Sequence, residues 1–106
     1  MILTTTSTIT GQRIVRTLGL VRGSTIRSRA IGKDIMAVMR GLVGGEIHEY
    51  SKMLAESREQ AIDRMIEEAH ALGANAVIAV RFGTSMIMTG SAEIMCYGTA
   101  VVIEPD

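Results

Sequence analysis

The sequence predicts an α+β domain built on a βαββ unit. A small sheet packs on one long helix at about residues 46–72, with an additional short helix at about 31–43. Three observations lead there. From Glu46 to Leu72 no glycine or proline interrupts the chain, and apolar residues recur at helical spacing. A tight corner follows, Leu72-Gly73-Ala74-Asn75-Ala76. Beyond it, Ala76–Thr84 and Ile94–Glu104 are apolar on both faces, as strands buried on two sides are.

Taken in order, Ile2–Thr10 is short and rich in threonine, which predicts an edge strand or strand-like arm. Gln12–Arg22 alternates and reads as a strand: Ile14, Arg16, Leu18, Leu20 and Arg22 oppose Arg13, Val15, Thr17, Gly19 and Val21. Gly19 in mid-strand marks a bulge or a close backbone approach, and Gly23-Ser24 is expected to end the strand. Ile31, Ile35, Val38, Met39 and Leu42 have helical spacing, with Ser28 as a candidate cap and Gly44-Gly45 as the stop.

In the long helix, Ile47, Tyr50, Leu54, Ala61, Met65, Ala69 and Leu72 form one stripe, and the angle of Arg58 falls inside it. A guanidinium there must snorkel or find a partner. Gly73 closes the helix in the left-handed position. In the strands, Ala76, Ile78, Val80 and Phe82 share a face against Val77 and Ala79. Likewise Ile94, Cys96, Gly98, Ala100 and Val102 oppose Met95, Tyr97, Thr99, Val101 and Ile103. Gly90-Ser91 is the expected turn between them.

A strand, a helical crossover, a parallel strand and a hairpin back let the last strand slot between the other two. One helix covers one face of such a sheet. The opposite face is left to the 31–43 helix or to another subunit, and an apolar area of that size favours subunits closing into a ring.

The 106 residues suit one domain spanning 1–106. Balanced charge gives no overall pull toward nucleic acid or membrane. The distribution is uneven: Arg13, Arg16, Arg22, Arg27, Arg29 and Lys33 precede any acid, and the helix then carries Glu46, Glu49, Glu56, Glu59, Asp63, Glu67 and Glu68. This pattern predicts docking of one half on the other, or on a neighbour's acidic helix. One cysteine rules out an internal disulfide and fits the cytoplasm. The start of the chain lacks a signal-peptide pattern, and no run has the length of a membrane span.

Thr4-Thr5, Gly11-Gln12-Arg13-Ile14-Val15, Gly19-Leu20-Val21-Arg22-Gly23, Val43-Gly44-Gly45 before Tyr50, Arg58, Gly73-Ala74-Asn75-Ala76-Val77 and Tyr97-Gly98-Thr99-Ala100-Val101 stand in an ordered series. Over nearly the whole chain, from about Leu3 to Ile103, this series resembles the YbjQ family of small bacterial and archaeal proteins of unassigned function. The resemblance implies a dodecin-subunit-like fold and a homopentameric ring, and it brings a heavy-metal-binding label. The chain departs from the family at Gly83, where an acidic residue often follows the Phe of Val-Arg-Phe. It departs again at Cys96, where small residues are common.

Two ligand chemistries are open. Cys96, with Met95 beside it and Met86 and Met88 on the opposing arm, offers soft donors suited to Cu(I), Hg(II) or a selenium species. Met95 and Cys96 point to opposite faces of a strand, however, and no zinc-type spacing is present. The basic loop Arg22–Arg29, through Arg22 and Arg27, offers an anion or nucleotide site. His48 and His70 lie too far apart on the helix to share a metal. No nucleophile pair or phosphate loop is positioned, so no catalytic residue is expected. Few aromatic platforms argue against single-stranded nucleic acid, and no resident cofactor is expected. The reading is a non-enzymatic, ring-forming protein of unknown biochemical function, with Cys96 metal binding and Arg22/Arg27 anion binding as alternatives.

Overall fold

The computed structural model describes residues 1–27, 44–88 and 91–106. The helix expected at 31–43, the cap at Ser28 and the turn at Gly90 lie outside the described residues. Five elements follow one another: β1 (Ile2–Leu3), β2 (Gln12–Arg27), α1 (Gly44–Ala71), β3 (Ala76–Met88) and β4 (Ser91–Pro105). The sheet order is β1-β3-β4-β2. β1 is parallel to β3, whereas β4 is antiparallel to both of its neighbours. The last strand therefore slots between β2 and β3, as the βαββ pattern requires.

Helix α1 runs 28 residues and ends as its sequence dictates. Gly73 takes a left-handed φ of 86°. Its N–H donates to the His70 carbonyl at 2.9 Å, and the Ala74 N–H donates to the Ala69 carbonyl at 3.1 Å. That pair of bonds is a Schellman closure, and a side chain at Gly73 would strain it. At the other end the helix begins at Gly44, two residues before the expected start at Glu46.

The buried stripe of α1 is Ser57, Ala61, Met65 and Ala69, with Ile62 packed beside it. This is an unbroken four-residue ladder, and it places Arg58 outside, exposed. The burial conflict expected at Arg58 does not arise. Leu72 leaves the stripe and is exposed, because the helix has turned its corner there. Ile47 and Tyr50 lie outside the described side chains.

Two bulges re-sort the strand faces. In β2 the register shifts between Ile14 and Arg16 and again between Thr17 and Gly19, where Gly19 adopts φ 121°. Leu18 is thereby brought toward the helix side with Val21, while Leu20 stays on the other face. In β3 the shift falls between Ile78 and Arg81, at Ala79, whose φ is 55°. Strict alternation would group Ala76 and Ile78 with Val80. Instead Val77 and Val80 join the helix-side core, and Ala76 and Ile78 join Val101 and Ile103 on the far side. A one-residue insertion exchanges the faces of everything beyond it, which no alternation pattern records.

The far-side cluster has a cover the sequence did not suggest. Ile9, from the arm between β1 and β2, packs on Ala76, Ile78, Val101 and Ile103. The arm is tied down by backbone bonds from Ala79 N–H to Thr6 O (2.8 Å) and Val80 N–H to Thr4 O (3.0 Å). Arg81 reinforces it by donating to the Thr5 carbonyl at 2.8 Å. One end of the face opposite the helix is thus sheltered by the chain's own N-terminal arm.

Among the described residues, none shelters the other end. β2 does not stop at Gly23-Ser24 but continues to Arg27, and β3 and β4 run on to Met88 and from Ser91. The three strands extend well past the arm. The molecule measures 56 × 26 × 18 Å, with a radius of gyration of 17.2 Å. A compact chain of this length would have about 13 Å.

Candidate functional site

Cys96 lies on the helix side of β4, fully buried in the cluster of Val21, Ala61, Met65, Val77 and Ala100. Its register partners are Gly23 on one flank and Phe82 on the other. Burial pushes the thiol above its ordinary ionisation range, and the backbone N–H groups of Gly23 and Cys96 partly offset this. The thiol is therefore held as a neutral, small hydrophobe rather than as a thiolate. Met95 is half-buried on the opposite face, and Met86 is exposed on the helix side, paired with Ala92 four register positions along from the Phe82–Cys96 pair. Among the described residues no three His, Cys, Asp or Glu side chains gather.

Arg22 and Arg27 fall on a strand, not on a loop. Arg22 pairs with Tyr97 and Arg27 with Ala92, an odd offset that gives them positions of opposite parity in β2. Residues 28–29 of the expected basic loop lie outside the described residues. Arg22 instead borders a groove of about 690 Å³ with Ser24, Arg64, Glu68, Glu93 and Met95. Arg64 reaches from α1 to donate to the Ser24 carbonyl on the edge of β2. Two guanidiniums and two carboxylates leave the groove without net charge, which gives an anion little long-range preference for it. Arg64, Glu68 and Glu93 were not legible as neighbours of Arg22, because only the helix crossing brings them there.

The uncovered face carries Leu20 and Ile26, which are 62% and 60% exposed. Tyr97 and Arg22 form a cross-strand pair between them, flanked by Arg81 of β3. The outward side of α1 is acidic, with Glu56, Glu59, Asp63 and Glu67 all exposed. No described helix is long and apolar enough to cross a membrane.

The described residues define a class: small α+β proteins in which a mixed four-stranded sheet packs on one long helix. The chain belongs to the YbjQ family, whose model, described as "Putative heavy-metal-binding", matches residues 1–104. It is 60% identical over 103 residues to a UPF0145 protein of Methanosarcina acetivorans, covering 97% of each chain. A UPF0145 protein of Dehalococcoides mccartyi is 56% identical over 104 residues, covering 98% of this chain and 100% of that one. A UPF0145 protein of Thermus thermophilus is 51% identical, covering 99% and 92%. A crystal structure of a protein of unknown function from Pediococcus pentosaceus, assigned to the DUF74 family, superposes with a TM-score of 0.65. It covers 98% of each chain at 18% identity, a likeness of fold.

Proposed function

We propose that the chain is a non-enzymatic subunit of a closed homo-oligomeric ring in the cytoplasm, with five copies as the family resemblance implies. The observation that carries this reading is the pair Leu20 and Ile26, large apolar side chains left in water on a sheet face whose other end is covered. The occupant is a second copy. Its acidic helix face, Glu56, Glu59, Asp63 and Glu67, complements Arg22 of β2 and Arg81 of β3, which lie between Leu20 and Ile26 on that sheet face. A contact between two different surfaces repeats head to tail and closes into a ring. Neither nucleic acid nor membrane is part of this reading.

The test is mass in solution by light scattering and native mass spectrometry. The wild type is expected as a multiple of 11.4 kDa. Leu20→Glu combined with Ile26→Glu is expected to give a folded protein that no longer closes into a ring, since neither side chain supports the core. A wild type that stays at 11.4 kDa ends the proposal.

The family description supports a second reading, capture of a soft metal by Cys96. Burial of Cys96 means the metal must enter between α1 and the sheet. Hg(II) or Cu(I) should then bind per subunit in the wild type and not in Cys96→Ser; equal stoichiometry in both removes this reading.

A further inference from the structure

The two outer edges of the sheet are treated differently by the sequence. β2 carries Arg13, Arg16, Arg22 and Arg27, and Arg64 of the helix occupies its Ser24 carbonyl. Charges along an edge and a capped carbonyl are how proteins stop further strands from adding. The edge of β3 is protected only in its first half, where β1 and the arm pair with residues 76–80. Beyond Arg81 no described strand lies on its outer side. From Phe82 to Ala92 the sequence Phe-Gly-Thr-Ser-Met-Ile-Met-Thr-Gly-Ser-Ala holds neither a charge nor a proline. A long, neutral, β-prone edge with unpaired backbone groups is a template for strand addition.

The side chains on that edge say what fits. Phe82 shares a face with Cys96, its register partner, and regular pairing from Arg81 to Met86 puts Thr84 and Met86 on the same helix-side face. Helix α1 lies over β2 and β4 and barely reaches β3, so no described helix covers this strip. Phe82 is 50% exposed and Met86 75%.

We infer that β3 pairs antiparallel with β3 of a second copy across a two-fold axis centred on Thr84. An axis perpendicular to the sheet keeps both helices on the same side. It also forces positions of equal parity to meet. Thr84 then faces Thr84 of the partner subunit. Phe82 faces Met86 of the partner subunit, and Met86 faces the partner's Phe82. Two aromatic–thioether pairs flank a threonine pair, each a favourable cross-strand combination. Gly83 and Ser85, small residues, oppose each other on the other face. The two Arg81 side chains are kept apart by about 20 Å of strand. The same edge serves both copies, so the contact is isologous.

This inference rests on the self-assembly proposed above and adds to it: a two-fold contact joins one ring to another, so the subunit number is even. In a Cys96→Ala background, Thr84→Cys is expected to cross-link almost completely to a dimer under mild oxidation, because residue 84 meets its own copy at disulfide range. Ser85→Cys, which meets Gly83 of the partner subunit, is expected to stay at least ten-fold less cross-linked. Thr84→Lys is expected to halve the assembly mass while leaving the circular dichroism of the fold unchanged. An assembly whose mass survives Thr84→Lys, or equal cross-linking at 84 and 85, overturns the two-fold contact and leaves the ring standing. A monomeric wild type overturns both.

Discussion

Gly23 of β2 lies directly beneath Ala61 of α1: a methyl group placed on Gly23 would sit 2.1 Å from the Ala61 carbonyl oxygen and 2.4 Å from the Met65 nitrogen. Both obstacles are backbone, so no side-chain rotation relieves them. Next to this contact Thr25, also buried, donates its hydroxyl to the Ser57 carbonyl at 3.3 Å. Gly23→Ala should therefore push helix and sheet apart and destabilise the fold by about 3 kcal/mol or more. Gly83→Ala is the control, because nothing lies within 4 Å of its added carbon. Urea unfolding followed by circular dichroism should show a large fall for the first and a change within about 0.5 kcal/mol for the second.

Asn75 acts as an extra rung of the sheet. Its amide group donates to the Ile103 carbonyl at 2.9 Å, and its side-chain oxygen accepts from the Ile103 N–H at 2.7 Å. Asn75→Ala leaves both Ile103 groups unpaired at a partly buried position. The expected cost is about 1–3 kcal/mol, measured in the same unfolding experiment. Asn75→Asp should recover part of the loss, since it keeps the acceptor for Ile103 N–H.

The burial of Cys96 makes stability depend on alkaline pH. The thiol ionises at its ordinary value of 9.0 once unfolded and at a higher pH when folded. Below that ordinary value both states hold the proton, and the contribution to stability is fully present. As pH rises from there toward the folded value, the unfolded state loses its proton first and stability declines. Unfolding midpoints compared at about pH 8 and about pH 10 should therefore fall further for the wild type than for Cys96→Ala. Thiol reagents should react with Cys96 only at the rate at which the helix opens from the sheet.

The ion pair between Arg13 and Glu104, 3.0 Å apart, joins the ends of β2 and β4. Its side chains are 62% and 53% exposed, so water and salt screen the attraction. Glu104→Gln should cost less than about 1 kcal/mol, and the difference should vanish in molar salt.

The sequence by itself determined the elements whose cause is local. Unbroken apolar periodicity made α1, Gly73 closed it, doubly apolar runs made β3 and β4, and Gly19 marked a bulge. It also determined the family, because short motifs in a fixed order survive whatever the packing does. Tertiary structure decided what depends on two distant segments meeting. The helix backbone lands on Gly23, which turns an apparent strand end into a crossing point and lets β2 run on to Arg27. The bulge at Ala79 forms where the N-terminal arm bonds to β3, and it moves Val80 to the other face. Ile9 shelters the far-side cluster, Arg64 and Arg22 meet across a groove, and Cys96 is sealed from solvent. Residues far apart along the chain become neighbours only through the close packing of one element on another, which is settled in three dimensions rather than along the chain.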